Sequence, residues 1–167
     1  MSPADLLTDA FDRVRETTLA AVDGLSPEQL AQRPAPDANP IGWLVWHLTR
    51  VQDDHVADVA GVEQVWTSAG WADRFALPYD VAAHGYGQSS DEVAAGTWDA
   101  GLLAGYLEAV HRATTDYVAT VGPDDLDRVV DEGWDPPVTL GARLVSVVND
   151  DTQHAGQAAY ARGLLGF

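Results

Sequence analysis

The amino-acid sequence predicts an all-α protein, a four-helix bundle with a long crossover between its second and third long helices. Three observations predict it. Four stretches carry apolar residues at helical spacing, no two runs alternate in the manner of paired strands, and a glycine- and aromatic-rich segment from Gly61 to Trp98 separates the helices two and two. At 167 residues the chain is expected to form a single domain over 1–167. That length buries roughly two-thirds of the unfolded surface without disulfides or metals as staples.

Each element has its own signal. Ser2-Pro3 is a cap followed by a first-turn proline, and Leu7, Ala10, Phe11, Val14, Thr18, Ala21 and Val22 then recur at helical spacing up to Gly24. "SPEQLAQRPAP" starts with a serine cap and a Pro-Glu turn, so it forms a short connecting helix before proline-rich coil. A second long helix runs from about Pro40 to Val59, with Ile41, Leu44, Leu48, Val51 and Val59 on one side and Gly61 just past its end. In the segment that follows, one short helix is expected after a Ser90 cap. Its six aromatic residues (Trp66, Trp71, Phe75, Tyr79, Tyr86 and Trp98) imply that it folds back over the body as a lid or subunit contact. The third long helix spans about Asp99 to Val121, with Leu102, Tyr106, Val110, Ala113 and Tyr117 facing in, and Gly122-Pro123 stops it. "DDLDRVVDEGWDPPV" reads as a turn or short extended excursion. Thr139 then caps a fourth long helix that reaches about Leu165.

Composition removes several classes of function. There is no cysteine, so the chain has no thiol nucleophile, no redox pair and no cysteine zinc site. Any sulfur chemistry must use another molecule's sulfur. Acidic residues number 26 against nine basic ones, all arginine, and the resulting field repels phosphate backbones and anionic lipids. No nucleic acid or membrane partner is expected. The first residues lack a basic, apolar leader and no run approaches the roughly 20 apolar residues that span a bilayer, so a cytoplasmic location is expected. An aromatic segment and a single-sign surface pull in opposite directions on self-association, and a homodimer is the weakly favoured state.

The stretch "VVNDDTQHAGQ" of the fourth helix sets Asp150, Asp151 and His154 where the pattern should be apolar. At about 100° per residue, Asp150 and His154 lie about 40° apart and roughly 6 Å along the axis, so their side chains meet at one point. That is metal-ligand spacing. His47, on the inner side of the second helix, is the candidate third ligand, completing a three-ligand site with an open position for water or substrate. Alone, an Asp-x-x-x-His pair occurs by chance and an inner histidine is commonly a core residue. Together they point further, because burying a carboxylate without a partner costs several kcal/mol and a divalent cation compensates it directly.

Other polar residues weigh less. Asp151 falls near the inner stripe and is either an alternative ligand or the outer-shell group that orients one. Asp54 is about 10 Å further along the helix than His47, too far to share a coordination shell. His55 reads as a rim residue, His84 as a loop residue that could line a cavity, and His111 as a surface or core histidine. Trp43 and Trp46 read as ordinary packing, with the pocket mouth as the alternative for Trp43. Arg50 and Gln157, each one turn past a histidine, could bind an anionic group or lie solvated on the surface.

"NPIGWLVWHLTRVQDDH" and "DDTQHAGQ" resemble the DinB-like metalloprotein superfamily, four-helix bundles that hold a divalent metal through one residue of the second helix and two of the fourth. "DANPIGWLVWHLTRVQDDHVADVAG", "RFALPYD" and "GYGQSS" are similar to its actinobacterial branch of mycothiol S-transferases, and the resemblance spans essentially the whole chain. It implies that His47, Asp150 and His154 bind the metal. Many superfamily members carry histidine where this chain has Asp150, and the related mycothiol-dependent maleylpyruvate isomerases carry glutamate. The aspartate makes the site harder and more anionic. Two imidazoles and a carboxylate match catalytic zinc, with nickel, manganese or iron(II) as alternatives.

The expected chemistry follows from the metal and the missing cysteine. A free thiol with pKa near 8.5 is mostly protonated at neutral pH, whereas a zinc-bound one is a thiolate. The resemblance implies mycothiol as the co-substrate, its sulfur activated and held against a small electrophile such as an alkyl halide, epoxide or enone, a detoxification reaction. Asp151 is the expected base, and the aromatic crossover is expected to shape the electrophile pocket. The same ligands would equally serve a hydrolase that activates water. A non-catalytic bundle whose inner polar groups satisfy one another is the third reading.

Overall fold

In the computed structural model, which describes residues 1–167, local capping starts most of the helices. The Ser2 hydroxyl accepts from the Asp5 amide at 3.1 Å and the Asp5 carboxylate accepts from the Ser2 amide at 2.8 Å, opening α1 (Pro3–Val22). Phe11, Val14, Thr18, Ala21 and Val22 form its buried face. The same reciprocal cap at Ser26 and Gln29 starts α2 (Pro27–Ala31), which buries Leu30 completely.

Helix α3 (Ile41–Ala60) has no side-chain cap and ends at Gly61, whose φ of 68° supplies the left-handed turn. Every residue from Ile41 to Arg50 is buried, so the first half of α3 is covered on all sides. The crossover supplies the cover. It holds three short helices, α4 (Val65–Ser68), α5 (Trp71–Phe75) and α6 (Ser90–Ala95), where the sequence suggests one, and the cap of α6 is Ser89 and not Ser90. Ser90 is already helical. Trp66, Phe75 and Trp98 are buried, with Trp71 and Tyr79 packed beside them, and Trp46 of α3 meets Tyr79, Trp98 and Trp66 at centroid distances of 5.3, 5.9 and 6.4 Å. The crossover is thus built into the core and is not a lid laid over one. Gly42 is the contact point, because a Cβ there would stand 2.2 Å from Cγ of Trp98.

Asp99 caps α7 (Ala100–Val118) by accepting from the Leu102 amide at 2.8 Å. Its buried face is Leu103, Tyr106, Leu107, Val110, Thr114 and Val118. Tyr106 and Val110 face in as expected, whereas Leu102 is half-buried and Ala113 exposed, their neighbours Leu103 and Thr114 taking the inner positions. Beyond a 3-10 turn at Pro123–Asp125, β1 (Val129–Asp131) pairs antiparallel with β2 (Val138–Thr139). The sequence suggests no sheet there. Strands of three and two residues are too short to show an alternating pattern. Thr139 caps α8 (Leu140–Leu165), whose buried stripe is Leu140, Leu144, Val147, Asp151, Ala155, Ala158 and Ala161.

Helices α1 and α3 each pack against both α7 and α8, the square arrangement of a four-helix bundle. Ile41 and Leu44 share a cluster with Ala158 and Ala161, Leu48 one with Ala155, and Val56 and Val59 one with Leu140 and Leu144. Helices α3 and α8 therefore run antiparallel, and the middle of one faces the middle of the other. No helix is long and apolar enough to cross a membrane.

Candidate metal centre

That seam brings together residues far apart in the chain. His47 from α3 and Asp150 and His154 from α8 place one potential ligand atom each within 4.8 Å of one another. His154 Nε2 lies 3.6 Å from Asp150 Oδ1, and the two imidazole rings meet edge to face at a centroid distance of 4.8 Å. An ion with bonds of about 2.1 Å fits a group of this size with small side-chain adjustment. His47 is buried, while Asp150 and His154 are half-buried. The trio therefore has a closed side and an open one.

Both histidines are held by the nitrogen that faces away from the group. His47 Nδ1 contacts the backbone carbonyl of His84, and His154 Nδ1 lies 2.9 Å from the side-chain oxygen of Gln157. A carbonyl oxygen only accepts, so Nδ1 carries the proton in each ring and the lone pair is left on Nε2. Metal-binding histidines are oriented in this way. Burial also holds the His47 imidazole below its ordinary pKa, which favours the neutral ligand form. Asp150 Oδ2 is buried and has no hydrogen-bond partner. An anionic oxygen left in that state is costly, and a cation offsets the cost.

Around the trio, Trp43 stacks on the His47 ring at 4.6 Å and 16°, and its indole N–H donates to Gln88 at 2.8 Å. Gly85 completes this packing with φ of +98°, and a Cβ there would lie 2.8 Å from both His47 Nδ1 and Trp43 Cζ2. On the open side is a cavity of about 220 Å³, walled by Val51, Asp54, His55, His84 and Tyr86 together with His47 and Asp150. No thiol or side-chain amine faces it, since the chain has neither cysteine nor lysine.

The remaining polar residues fall into place around this geometry. Asp151 lies outside the trio, fully enclosed, with neither carboxylate oxygen hydrogen-bonded. Burial, reinforced by the neighbouring Asp150 charge, pushes its pKa well above the ordinary carboxylate value. Asp54 lines the cavity and accepts from Gln64 at 2.7 Å. His55 accepts from Arg143 at 2.8 Å, and Arg143 also donates to Asp131 of the hairpin at 3.0 Å. His111 pairs with Asp12 at 2.8 Å on a different face. Arg50 is fully buried and offers nothing to a bound anion, and the oxygen of Gln157 is engaged with His154. The element not legible beforehand is the His84 carbonyl. A backbone oxygen has no sequence signature, and the one clue was the cluster Gly85-Tyr86-Gly87.

No curated protein matches the chain in sequence. In structure it is similar to a conserved protein of Enterococcus faecalis solved by crystallography, with a TM-score of 0.91 and 30% identity over 98% of this chain and 97% of that one. The family model described as mycothiol S-transferase matches residues 6–166. The chain, a DinB-like bundle with an inner His-Asp-His group matched by that model over almost its whole length, belongs to the mycothiol S-transferase family.

Proposed function

We propose that this protein is a zinc-dependent enzyme that transfers mycothiol to small electrophiles in the cytoplasm, with His47, Asp150 and His154 as the metal ligands. The observation that carries the reading is the pair of histidines whose Nδ1 atoms are tied outward while Nε2 faces the unpartnered Asp150 carboxylate. A divalent cation bound there supplies the acidity that brings a thiol from its ordinary pKa near 8.5 to the thiolate form at neutral pH.

The chain's own residues do the rest. The closed side, made by Trp43 and the Ala83–Gly85 turn, keeps water from the back of the trio. The thiol enters through the cavity, where Asp54, His55 and His84 present acceptors and donors suited to the hydroxyl groups of a sugar conjugate. Val51 and Tyr86 give the electrophile its apolar contact, and of the crossover's aromatic residues only Tyr86 is on this wall, the others supporting it from within. The thiol proton leaves to solvent through the cavity, and the sulfur forms a bond to the electrophilic carbon as the leaving group departs or the epoxide oxygen takes a proton from solvent. Asp151, expected as the base, is enclosed away from the cavity. In this reading it acts on Asp150 from the bundle side and does not take the thiol proton.

Consumption of chlorodinitrobenzene or a bimane electrophile, measured with mycothiol, with glutathione and with no thiol, in zinc-loaded and chelated protein, tests the proposal. Zinc-dependent turnover with mycothiol is expected. Turnover indifferent to thiol would replace the transferase with a hydrolase, and a His154→Ala variant that binds as much metal as the parent would leave only a structural bundle.

A further inference from the structure

The His84 carbonyl that holds His47 belongs to a turn that is itself gripped from α3. Arg50, one helical turn after His47, donates from Nε to the carbonyl of Ala83 at 3.2 Å. The next carbonyl along, that of His84, receives His47 Nδ1. Two consecutive carbonyls of the crossover are thus bound by two side chains on successive turns of one helix.

Arg50 has little freedom. It is fully buried, its Nη1 donates to Gln64 at 2.8 Å and to the Tyr106 hydroxyl at 3.4 Å, and its guanidinium lies 5.1 Å over Trp66 and 3.7 Å from Asp53. Asp53 is fixed in turn, accepting from the Val65 and Trp66 amides at 2.9 and 2.7 Å and from the Tyr106 hydroxyl at 2.7 Å. A fork of donors in one rigid plane can satisfy a carbonyl and an amide oxygen in different directions at once, which a lysine ammonium on a flexible stem does less well. The turn reached by this fork is shaped to receive it, since Gly85 has a φ of +98° and no room for a Cβ against His47, Trp43 and Trp46.

Resting on the metal-centre reading above, we propose that Arg50 is a positioning residue for that centre. Through the Ala83–Gly85 turn it holds the His84 carbonyl against His47 and so fixes which nitrogen of His47 is presented to an ion. Arg50 also holds buried polar groups of the core, so its positioning role is read at His47 and not from stability. Its place in the sequence, three residues after a ligand, follows from the need to reach the adjacent carbonyl.

Imidazole nitrogen NMR on metal-free protein, followed by zinc titration against a competing chelator, tests this. In the parent, His47 should show a single tautomer protonated at Nδ1. In Arg50→Met, which keeps the bulk of the side chain, the signal should become an average of two tautomers, and zinc affinity should fall about 10–100-fold, the usual loss on removing an outer-shell partner. Arg33→Ala loosens the crossover at its other end, where Arg33 donates to Ser90 at 2.7 and 2.8 Å, and should change neither readout. A folded Arg50→Met protein with His47 still wholly in the Nδ1-protonated form overturns the inference. Should Arg50→Met not fold, Gly85→Ala leaves the arginine network in place and displaces the same turn, and an unchanged His47 tautomer there overturns it equally. Because the tautomer is read without metal, a parent protein that binds no zinc would count against the metal centre and leave this result to stand or fall separately.

Discussion

Gln157 Oε1 lies 2.9 Å from His154 Nδ1, one helical turn further along α8. The contact is exposed and adds little to folding, yet it determines which nitrogen of His154 faces the trio. Gln157→Ala should therefore lower zinc affinity by about 10–100-fold while leaving the thermal midpoint of the metal-free protein in place. Chelator competition and thermal denaturation of the same sample measure both. Equal affinity in variant and parent would remove Gln157 from the site.

Asp150→Asn keeps the shape of the ligand and removes its charge. Zinc affinity should fall by more than about 100-fold, beyond the loss for an outer-shell partner. The metal-free protein should become more stable, by about 1 kcal/mol, because a buried unpartnered anionic oxygen is gone. Opposite signs in zinc titration and denaturant unfolding are the expected signature of a residue kept for function. A variant destabilised without metal would contradict it.

Asp151 makes stability depend on pH in a direction unusual for an aspartate. Its pKa in the folded protein is raised, chiefly by burial, above the value near 3.9 of an unfolded chain. The folded state then binds the proton more tightly than the unfolded one. The benefit is complete below about pH 4 and is lost as pH rises toward the folded-state pKa, by about 1.4 kcal/mol for each pH unit crossed. Metal-free Asp151→Asn lacks this titration, so its unfolding free energy, compared with the parent's, should improve as pH rises from about 4 and level off once the folded-state pKa is passed. A constant difference across that range would mean that Asp151 is ionised in the fold.

Gly42→Ala should cost about 3 kcal/mol, the upper end for overpacking a core, because the added methyl meets Cγ, Cδ1 and Cβ of Trp98 at 2.2 to 2.6 Å. The loss is measurable as a fall of several degrees in the thermal midpoint. Gly156→Ala, on the same kind of helix with open space around it, should be neutral or stabilising.

The helices and the Asp150–His154 pair could be read in advance because their signals are local. Asp150 and His154 are four residues apart, and Ser2, Ser26, Asp99 and Thr139 each cap within three residues. What could not be read depends on distant contacts. On α7, Leu102, Leu103 and Leu107 satisfy two neighbouring stripes equally, and only the assembled partners bury Leu103 in the large cluster and Leu107 against Val14, Leu48 and Ala155. Arg50 looks like a solvated arginine until residues 64, 83 and 106 arrive to surround it. The single expected helix in the crossover follows from the same limit, since α4 and α5 are four and five residues long and stand by packing against Trp46 and Tyr106 and not by their own propensity.

The cavity wall of imidazole, carboxylate, phenol and valine has a bearing on durability. Alkylating compounds attack soft sulfur and amine groups first, and this chain offers none beyond the thioether of Met1 and its terminal amine. Suicide inactivation during turnover is left with the weaker nucleophiles of the wall, its imidazoles, carboxylates and phenol. On the proposed reading, an enzyme of this composition outlasts its own reagents by having almost nothing on it for them to label.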